Sequence, residues 1–558
     1  MKSRTMTHRV FLLNPKKLLF VLLVFSLAFF FLQQKTIRQT KAQGNTHYVP
    51  DDFSSIQAAV DAARPGDTIY VKAGTYNERV TISSSGNAVD GYITLRNYPG
   101  DKPILDGTGL GNGTMIQGTH ISYIKIQGFH IKNHTGAGIV FYGEASHIEI
   151  RDNEISDQTY ELGHGHAILV AAYTWDEGGP VWHWMTDVTV DGNYIHDVST
   201  GVFADYQYNE ALTLCGGISK FQITNNLVDN AEFIGIMLIG KYKGYYYPPE
   251  GKYPFDGIVK DNEVENSGTS GADVGIYVDG AKKVVIEHNK VHDNFGNGIV
   301  TSSEDSTFTT SHIIVRYNQM WNNARSLSIG TSPSSLEHIK AVHNVMYADQ
   351  GGKTSIALFY GTDIVIVNNI ASNMAGNYAI SHYYGTGYPT FDYNCYYPEN
   401  TLYQYQPGIT YSSFSSYQSG TGQDANGVAV DPLFVDPGSK DFHLQANSPC
   451  KDAGTFLTTT TNSGTGTIIQ VDDASYFSDG YGMVDGDLVQ IGSNSPVRIT
   501  DVNYDTNTII VDTSISWGAG DGVGYPYSGS APDIGAFEYV GGVQPQIFLP
   551  FVSKKSLP

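Results

Sequence analysis

Cysteine, charge and basic residues are what this sequence has least of: three cysteines in 558 residues, 16% charged side chains, and 33 Lys and Arg against 55 Asp and Glu. Three cysteines cannot staple a disulfide framework. Cys215, Cys395 and Cys450 lack metal-ligand spacing and read first as small buried hydrophobes; Cys395 and Cys450 share the late region and could pair in an oxidising compartment. The low charge excludes long helical bundles, which need far more Lys, Glu and Leu. The shortage of cations excludes nucleic acid and anionic lipid as partners. What is plentiful is Gly (61) and Tyr (38), which favours many strands and tight turns. All-β is the expectation.

Residues 1–42 stand apart. Lys2, Arg4, Arg9, Lys16 and Lys17 precede an apolar run from Leu18 to Leu32, and a polar stretch then ends at Ala42. This is the layout of a secretory signal cut near Ala42, so the mature protein is expected outside the cell or on its surface. The run is short of the roughly 20 residues that span a membrane; a membrane partner is expected only if the leader is kept as an anchor. Residues 1–42 hold eight Lys/Arg and no Asp/Glu, which leaves 25 basic residues against 55 acidic ones, a net of −30. Such a surface repels a polyuronic acid unless a cation or a local basic cluster intervenes, whereas neutral polymers meet no barrier.

The decisive feature is an internal repeat. Alternating apolar residues, a polar residue, Asn and a second short apolar strand recur in HIEIRDNEI (Asn153), DVTVDGNYI (Asn193), FQITNNLV (Asn226), GIVKDNEV (Asn262), VVIEHNKV (Asn289), IIVRYNQM (Asn318), IKAVHNVM (Asn344) and IVIVNNIA (Asn369), with Asn394 a weaker ninth. The shortest gap, 25 residues, defines one coil, and longer gaps are a coil plus an insertion. Asn is expected to take the left-handed corner between strands, and stacked Asn side chains can bond one above another. A later strand begins Gly-Ile in several coils: Gly138, Gly235, Gly275 and Gly298. Three strands per coil make three parallel sheets around an apolar core. A leucine-rich solenoid would need a Leu pattern that is absent.

The fold expected is therefore a right-handed parallel β-helix of about 10–12 coils over residues 43–454. A capping helix in IQAAVDAA (56–63) shields its first coil. Residues 455–530 form a small antiparallel barrel or sandwich inserted near the C-terminus, and 531–558 a closing strand and tail. The capping segment and Asn-marked coils resemble the pectate-lyase-like superfamily of secreted right-handed β-helix proteins, over roughly residues 47–400. The segments 428–454 and 531–540 resemble closing segments of such proteins. The resemblance implies fold more firmly than chemistry, because that superfamily holds lyases, hydrolases, esterases, epimerases and tailspikes.

Long corner insertions carry the candidate substrate-binding residues: Trp175, Trp182, Trp184, Tyr206, Tyr208, Tyr242 and Tyr246. Aromatic faces stack on sugar rings while their polar tips reach hydroxyls; the alternative is that they anchor loops. Counting four past the late-strand Gly gives Asp205, Ile239, Asp279 and Ser302, with Lys241 and Glu304 two further on. In register, Asp279 and Glu304 become neighbours on successive coils, about 5 Å apart at the backbone. The candidate catalytic set is Asp279, Glu304, Asp205 and Lys241. Paired carboxylates suit a glycosidase. Asp273, Asp279, Glu304 and Asp305 could instead hold Ca²⁺ for β-elimination on a uronate, with Lys241 as base. Any one of these Asp residues could equally be a turn residue bonding its own backbone.

Two family signatures fail. Gly163-His164-Gly165 lacks the paired Asp and Arg-x-Lys of polygalacturonases, so His164 and His166 read as loop histidines. Gly74, Tyr76 and Glu78 match the start of pectin methylesterases without their catalytic motifs, and read as a structural corner. His196, His288, His292 and His343 are expected to solvate corners. The expected protein is a monomer that binds and degrades a polysaccharide, as lyase or hydrolase; the alternative is an adhesion module that only binds glycans.

Overall fold

The computed structural model describes residues 44–541 apart from 160–164, 178, 200–209, 241–251, 270–272, 305–307, 331–334, 375–377, 384–388, 400 and 407. The leader (1–42) and most of the C-terminal tail therefore lie outside the described residues.

The chain winds into a right-handed parallel β-helix. Sheet A runs from strand Thr46–Val49 to Thr390–Asp392, sheet B from Thr75–Tyr76 to Val428–Ala429, and sheet C from Val80–Ile82 to Ile409–Tyr411. Each sheet has 13 strands. Alternation points one set of side chains inward: Ile148 and Ile150 pair with Val188 and Val190, then Phe221 and Ile223 on the next coil. Ile139, Leu212, Ile236, Ile276 and Ile299 do the same from sheet C, and all are fully buried. Volume is balanced between coils, because Gly257 sits beside Phe221 where a Cβ would lie 1.9 Å from the ring. The first coil is closed by helix Ile56–Ala62, whose Ser55 side chain accepts from Ala58 N–H. Glu78 accepts the Ile56 and Gln57 N–H groups at 2.9 and 3.0 Å, so the Gly-x-Tyr-x-Glu segment is indeed a structural corner.

The repeat asparagines form one buried ladder. Asn289 Nδ2 and N–H both donate to Asn318 Oδ1, at 2.9 and 3.0 Å, and Nδ2 also reaches Val259 O at 2.9 Å. The same pattern links Asn153 to Asn394 through every intervening coil. The left-handed corner belongs to the residue before each Asn, not to Asn itself. Asp152, Asn225, Asp261, His288, Tyr317, His343, Asn368 and Tyr393 have φ between 52° and 60°. Asn is needed because one side chain both donates and accepts along the axis. The ladder ends on Asp424, whose Oδ1 accepts from Asn394 Nδ2 at 2.9 Å and whose Oδ2 accepts from Tyr396 OH at 2.7 Å.

The C-terminal region covers outward faces. Strands Thr458–Thr459, Gly464–Gln470, Leu488–Ile491, Val497–Asn503, Thr508–Trp517 and Gly522–Gly524 form one antiparallel sheet. Its core is continuous with Val342, Val365 and Val367 of sheet A, so it packs on the helix wall. Buried Arg316 bonds Asp487 with both terminal nitrogens at 2.7 Å and Glu287 through Nε at 2.7 Å. Buried Lys340 pairs with Asp363 and Asp473 at 2.9 and 2.8 Å. On sheet B, Phe434, Phe442, Ile534 and Ala536 pack against Trp321, Val345 and Ile370. Cys395 and Cys450 in that cluster are joined as a disulfide, so they are not independent hydrophobes. Nor does His343 solvate a corner: it is buried, and burial pushes its pKa down to about 4.

Candidate active site

The outward face of sheet C is where the candidate residues meet. Its register aligns Tyr142, Ala171, Cys215, Ile239, Asp279 and Ser302 on successive coils. For Ile239, Asp279 and Ser302 this is the register the sequence count required; where the count expected Asp205, the column holds Cys215. Glu304 follows Ser302, and its N–H donates to Asp279 Oδ1 at 2.8 Å. Tyr277 OH donates to Glu304 Oε1 at 2.7 Å. Asp279 and Glu304 are thus neighbours, but Asp279 is fully buried while Glu304 is half-buried. Asp279 holds the Glu304 backbone; Glu304 is the carboxylate that can meet a ligand.

Asp273 does not join them. It precedes strand Val274–Asp279, six residues from Asp279, which is about 20 Å of extended chain. Its carboxylate accepts from Thr269 N–H in its own turn. Among the described residues, no three of His, Cys, Asp and Glu gather to hold a metal. Asp279 and Glu304 are the expected calcium ligands that meet among the described residues. Asp205, Lys241, Tyr206, Tyr208, Tyr242, Tyr246 and Asp305 lie outside the described residues.

The tryptophans build a ridge at the corner between sheets C and A. Strands Tyr173–Asp176 and Gly179–Trp182 form an antiparallel hairpin. Trp182 meets Tyr173 edge-on at 5.3 Å, and Tyr173 meets Tyr142 at 5.8 Å. Trp175 at the hairpin tip is 62% exposed and Trp184 44%. Trp184 contacts Phe255 at 6.0 Å and carries Lys252 Nζ 3.9 Å from its ring centroid. Tyr253 and Phe308 prolong the row, 4.8 Å apart. Loop anchoring accounts for Trp182; it does not account for the exposed faces of Trp175 and Trp184.

One group was not foreseen. Glu210, just before strand Leu212–Cys215, is 6% exposed and accepts from Thr213 Oγ1 at 3.0 Å. Burial pushes its pKa up to about 7, with the Thr213 bond opposing only in part. His166 Nδ1 lies 3.6 Å from its carboxylate, 3.0 Å from Glu210 O and 3.2 Å from Thr213 Oγ1. His166, in the irregular stretch before strand Ile168–Ala171, is therefore the partner of a buried acid. Thr213 shares its column with Met237 and Tyr277, which places Glu210 two coils from Tyr277, whose hydroxyl holds the Glu304 carboxylate, and three from the Glu304 backbone. The two carboxyls are thus roughly 10 Å apart along the axis. A carboxyl poised to hold a proton at neutral pH, with a second carboxylate along the same face, can do acid–base chemistry.

Two family models match the chain. "Pel9A-like, right handed beta helix region" covers residues 37–176, and "Right handed beta helix region" covers 181–419. Protein YwoF of Bacillus subtilis (strain 168) is 28% identical over 447 residues, 72% of this chain and 88% of that protein. Pectate lyase PEL9 of Emericella nidulans is 47% identical over 60 residues, 10% of this chain and 14% of its own length. The crystal structure of pectate lyase Pel9A aligns with 89% of this chain and 97% of its own, at 14% identity and a TM-score of 0.40.

Proposed function

The chain belongs to the pectate-lyase-like superfamily of right-handed parallel β-helix proteins, and on that footing we propose that it binds a polysaccharide across the outward face of sheet C and cleaves it there. The observation that carries this reading is Glu210, buried beside His166 and Thr213 with its pKa at about 7. Breaking a glycosidic bond by hydrolysis or by elimination requires a proton for the departing sugar oxygen. Glu210 holds that proton at neutral pH, and His166 can return it. Glu304, aimed by Tyr277 and by Asp279, is the second group, acting as base; roughly 10 Å of axis from Glu210 is too wide for the nucleophile of a retaining pair. The exposed faces of Trp175 and Trp184, on the ridge with Tyr142, Tyr173 and Phe255, offer sugar-stacking surfaces alongside.

The protein is also proposed to work outside the cytoplasm. The basic-then-apolar leader supports export, and the Cys395–Cys450 disulfide suits an oxidising compartment.

The test is a panel of neutral and acidic polysaccharides, assayed for new reducing ends and for the absorbance of unsaturated products. Turnover on at least one polymer is expected: reducing ends alone mean hydrolysis, and both signals mean elimination. Binding without turnover on the whole panel would leave the non-catalytic adhesion reading in its place.

A further inference from the structure

The C-terminal sheet does not close completely on sheet A. Between them lies a cleft of about 600 Å³, inside the roughly 300–1,000 Å³ range of small-ligand sites. Its floor is the outward face of sheet A, where Thr224, Lys260, Glu287, Arg316 and Val342 form one column on successive coils. Side-chain exposure falls along that column, from 38% at Lys260 to 11% at Glu287 and 7% at Arg316. Val342 is fully buried in the core of the C-terminal sheet. The cleft is therefore open toward the earlier coils and blind at Arg316, where Asp487 and Tyr525 close it. Such a shape takes the end of a chain.

Its charged groups are already paired. Lys260 Nζ meets Glu287 Oε1 at 2.9 Å, Arg316 spans Glu287 and Asp487 at 2.7 Å, and Arg498 lies 3.7 Å from Asp485. The lining charges balance, three against three, and burial keeps His288 neutral by pushing its pKa down to about 4. Neither an anion nor a cation gains by entering. Hydrogen-bonding capacity remains, because an ammonium has three N–H groups and a guanidinium five. Lys260 gives one to Glu287, and Arg498 gives one to Gly486 O at 2.7 Å. A hydroxyl both donates and accepts, so it can meet either member of an ion pair without breaking it. Across from the floor, Val484 and Leu488 line the cleft with exposed aliphatic surface. Apolar surface beside a few fixed polar groups suits the C–H face and hydroxyl rim of a sugar.

We propose that this cleft is a second binding site, holding the end of a neutral oligosaccharide, and that roofing it is the task of residues 455–530. The site lies on sheet A and does not depend on chemistry at sheet C.

Calorimetry on the full chain tests this with cellohexaose, mannohexaose, xylohexaose and maltohexaose, and with hexagalacturonate as the charged control. At least one neutral hexaose should bind. Lys260→Met should weaken that binding by about tenfold, the loss of a hydrogen bond to a charged group. Val484→Trp, which fills the cleft from an exposed position, should weaken it further, or halve the stoichiometry of a hexaose that also occupies sheet C. Trp184→Ala, on the sheet C ridge, should change the cleft's affinity less than about twofold. Circular dichroism checks folding, and Lys260→Met carries the test if Val484→Trp is misfolded. Binding that both cleft variants leave intact overturns the proposal; if Trp184→Ala alone removes it, the sheet C reading stands without a second site. Failure of every neutral hexaose to bind overturns it too, as does hexagalacturonate proving the only ligand lost in Val484→Trp.

Discussion

Asp279 and Glu304 stand 25 positions apart in the chain, yet the Glu304 N–H donates to Asp279 Oδ1 at 2.8 Å across two adjoining coils. A fully buried carboxylate that accepts a backbone N–H is a clamp on the loop that presents Glu304. Asp279→Asn keeps an acceptor oxygen and should cost turnover less than about fivefold. Asp279→Ala removes the clamp and should cost tenfold or more, mostly in kcat, since misplacement of an acting group falls on the transition state. Glu304→Gln should cost more than either. Steady-state kinetics of the three variants decides the order; equal losses in Asp279→Asn and Glu304→Gln would make Asp279 a direct participant.

The Asn ladder should behave as one cooperative spine. Asn318 accepts from Asn289 and donates to Asn344 Oδ1 and Ile286 O, all buried. Asn318→Ala should destabilise the protein by about 2–4 kcal/mol, because it strands buried partners on both sides. Guanidinium unfolding measures this. A loss under about 1 kcal/mol would mean that the coils are held by core packing alone.

Three carboxyls contribute stability that is lost toward alkaline pH. Burial holds Glu210, Asp424 and Glu538 up at about 7, whereas unfolded carboxyls titrate near 4. Between those values the folded state keeps protons the unfolded chain has lost. Their stabilisation is complete below about pH 4 and disappears as pH rises through 7. Glu287 and Asp363, held down at about 2 by Arg316 and by His338 and Lys340 against the effect of burial, lose their contribution only as pH falls from about 4 toward 2. His134, His288, His312 and His343, held down at about 4 by burial, act in the opposite sense and lose stability as pH falls below the ordinary histidine range. The acids' share is therefore read from a variant: Asp424→Asn, which can continue the ladder without titrating, should lose less stability, by unfolding midpoint, than the wild type between pH 5 and pH 8.

The docked C-terminal sheet depends on buried charge. Asp487→Ala leaves the Arg316 guanidinium facing Glu287 and Tyr525 alone, which should cost about 3–5 kcal/mol. Replacing Arg316 and Asp487 together by Met and Leu should recover most of it. Differential scanning calorimetry of the single and double variants checks the cycle.

The β-helix was legible because its signals are periodic: the Asn positions, the inward Ile and Val, and the Gly-Ile strands each repeat. The register that joins Asp279 to Ser302 followed from counting. What stayed illegible lacks a period. Asp424 ends the ladder as an Asp beyond the last repeat, so nothing marked it. The left-handed corner was placed on Asn because Asn tolerates it, whereas His288, Tyr317 and His343 occupy it, stacked in pairs at 5.1 and 5.4 Å. Glu210 and His166 are 44 positions apart and meet because each stands two residues before the paired Leu212 and Ile168 of adjoining coils, a register that the long gap hides in the sequence.

The account turns on Glu210 as the proton holder of sheet C. The most direct measurement is the pH–rate profile of the wild type and of Glu210→Gln on whichever polysaccharide the panel identifies. The wild type should lose activity with an apparent pKa near 7 on the alkaline side. The variant should fall by about 100-fold or more and lose that limb, with binding retained. A variant that turns over at the wild-type rate with the same alkaline limb would contradict the account.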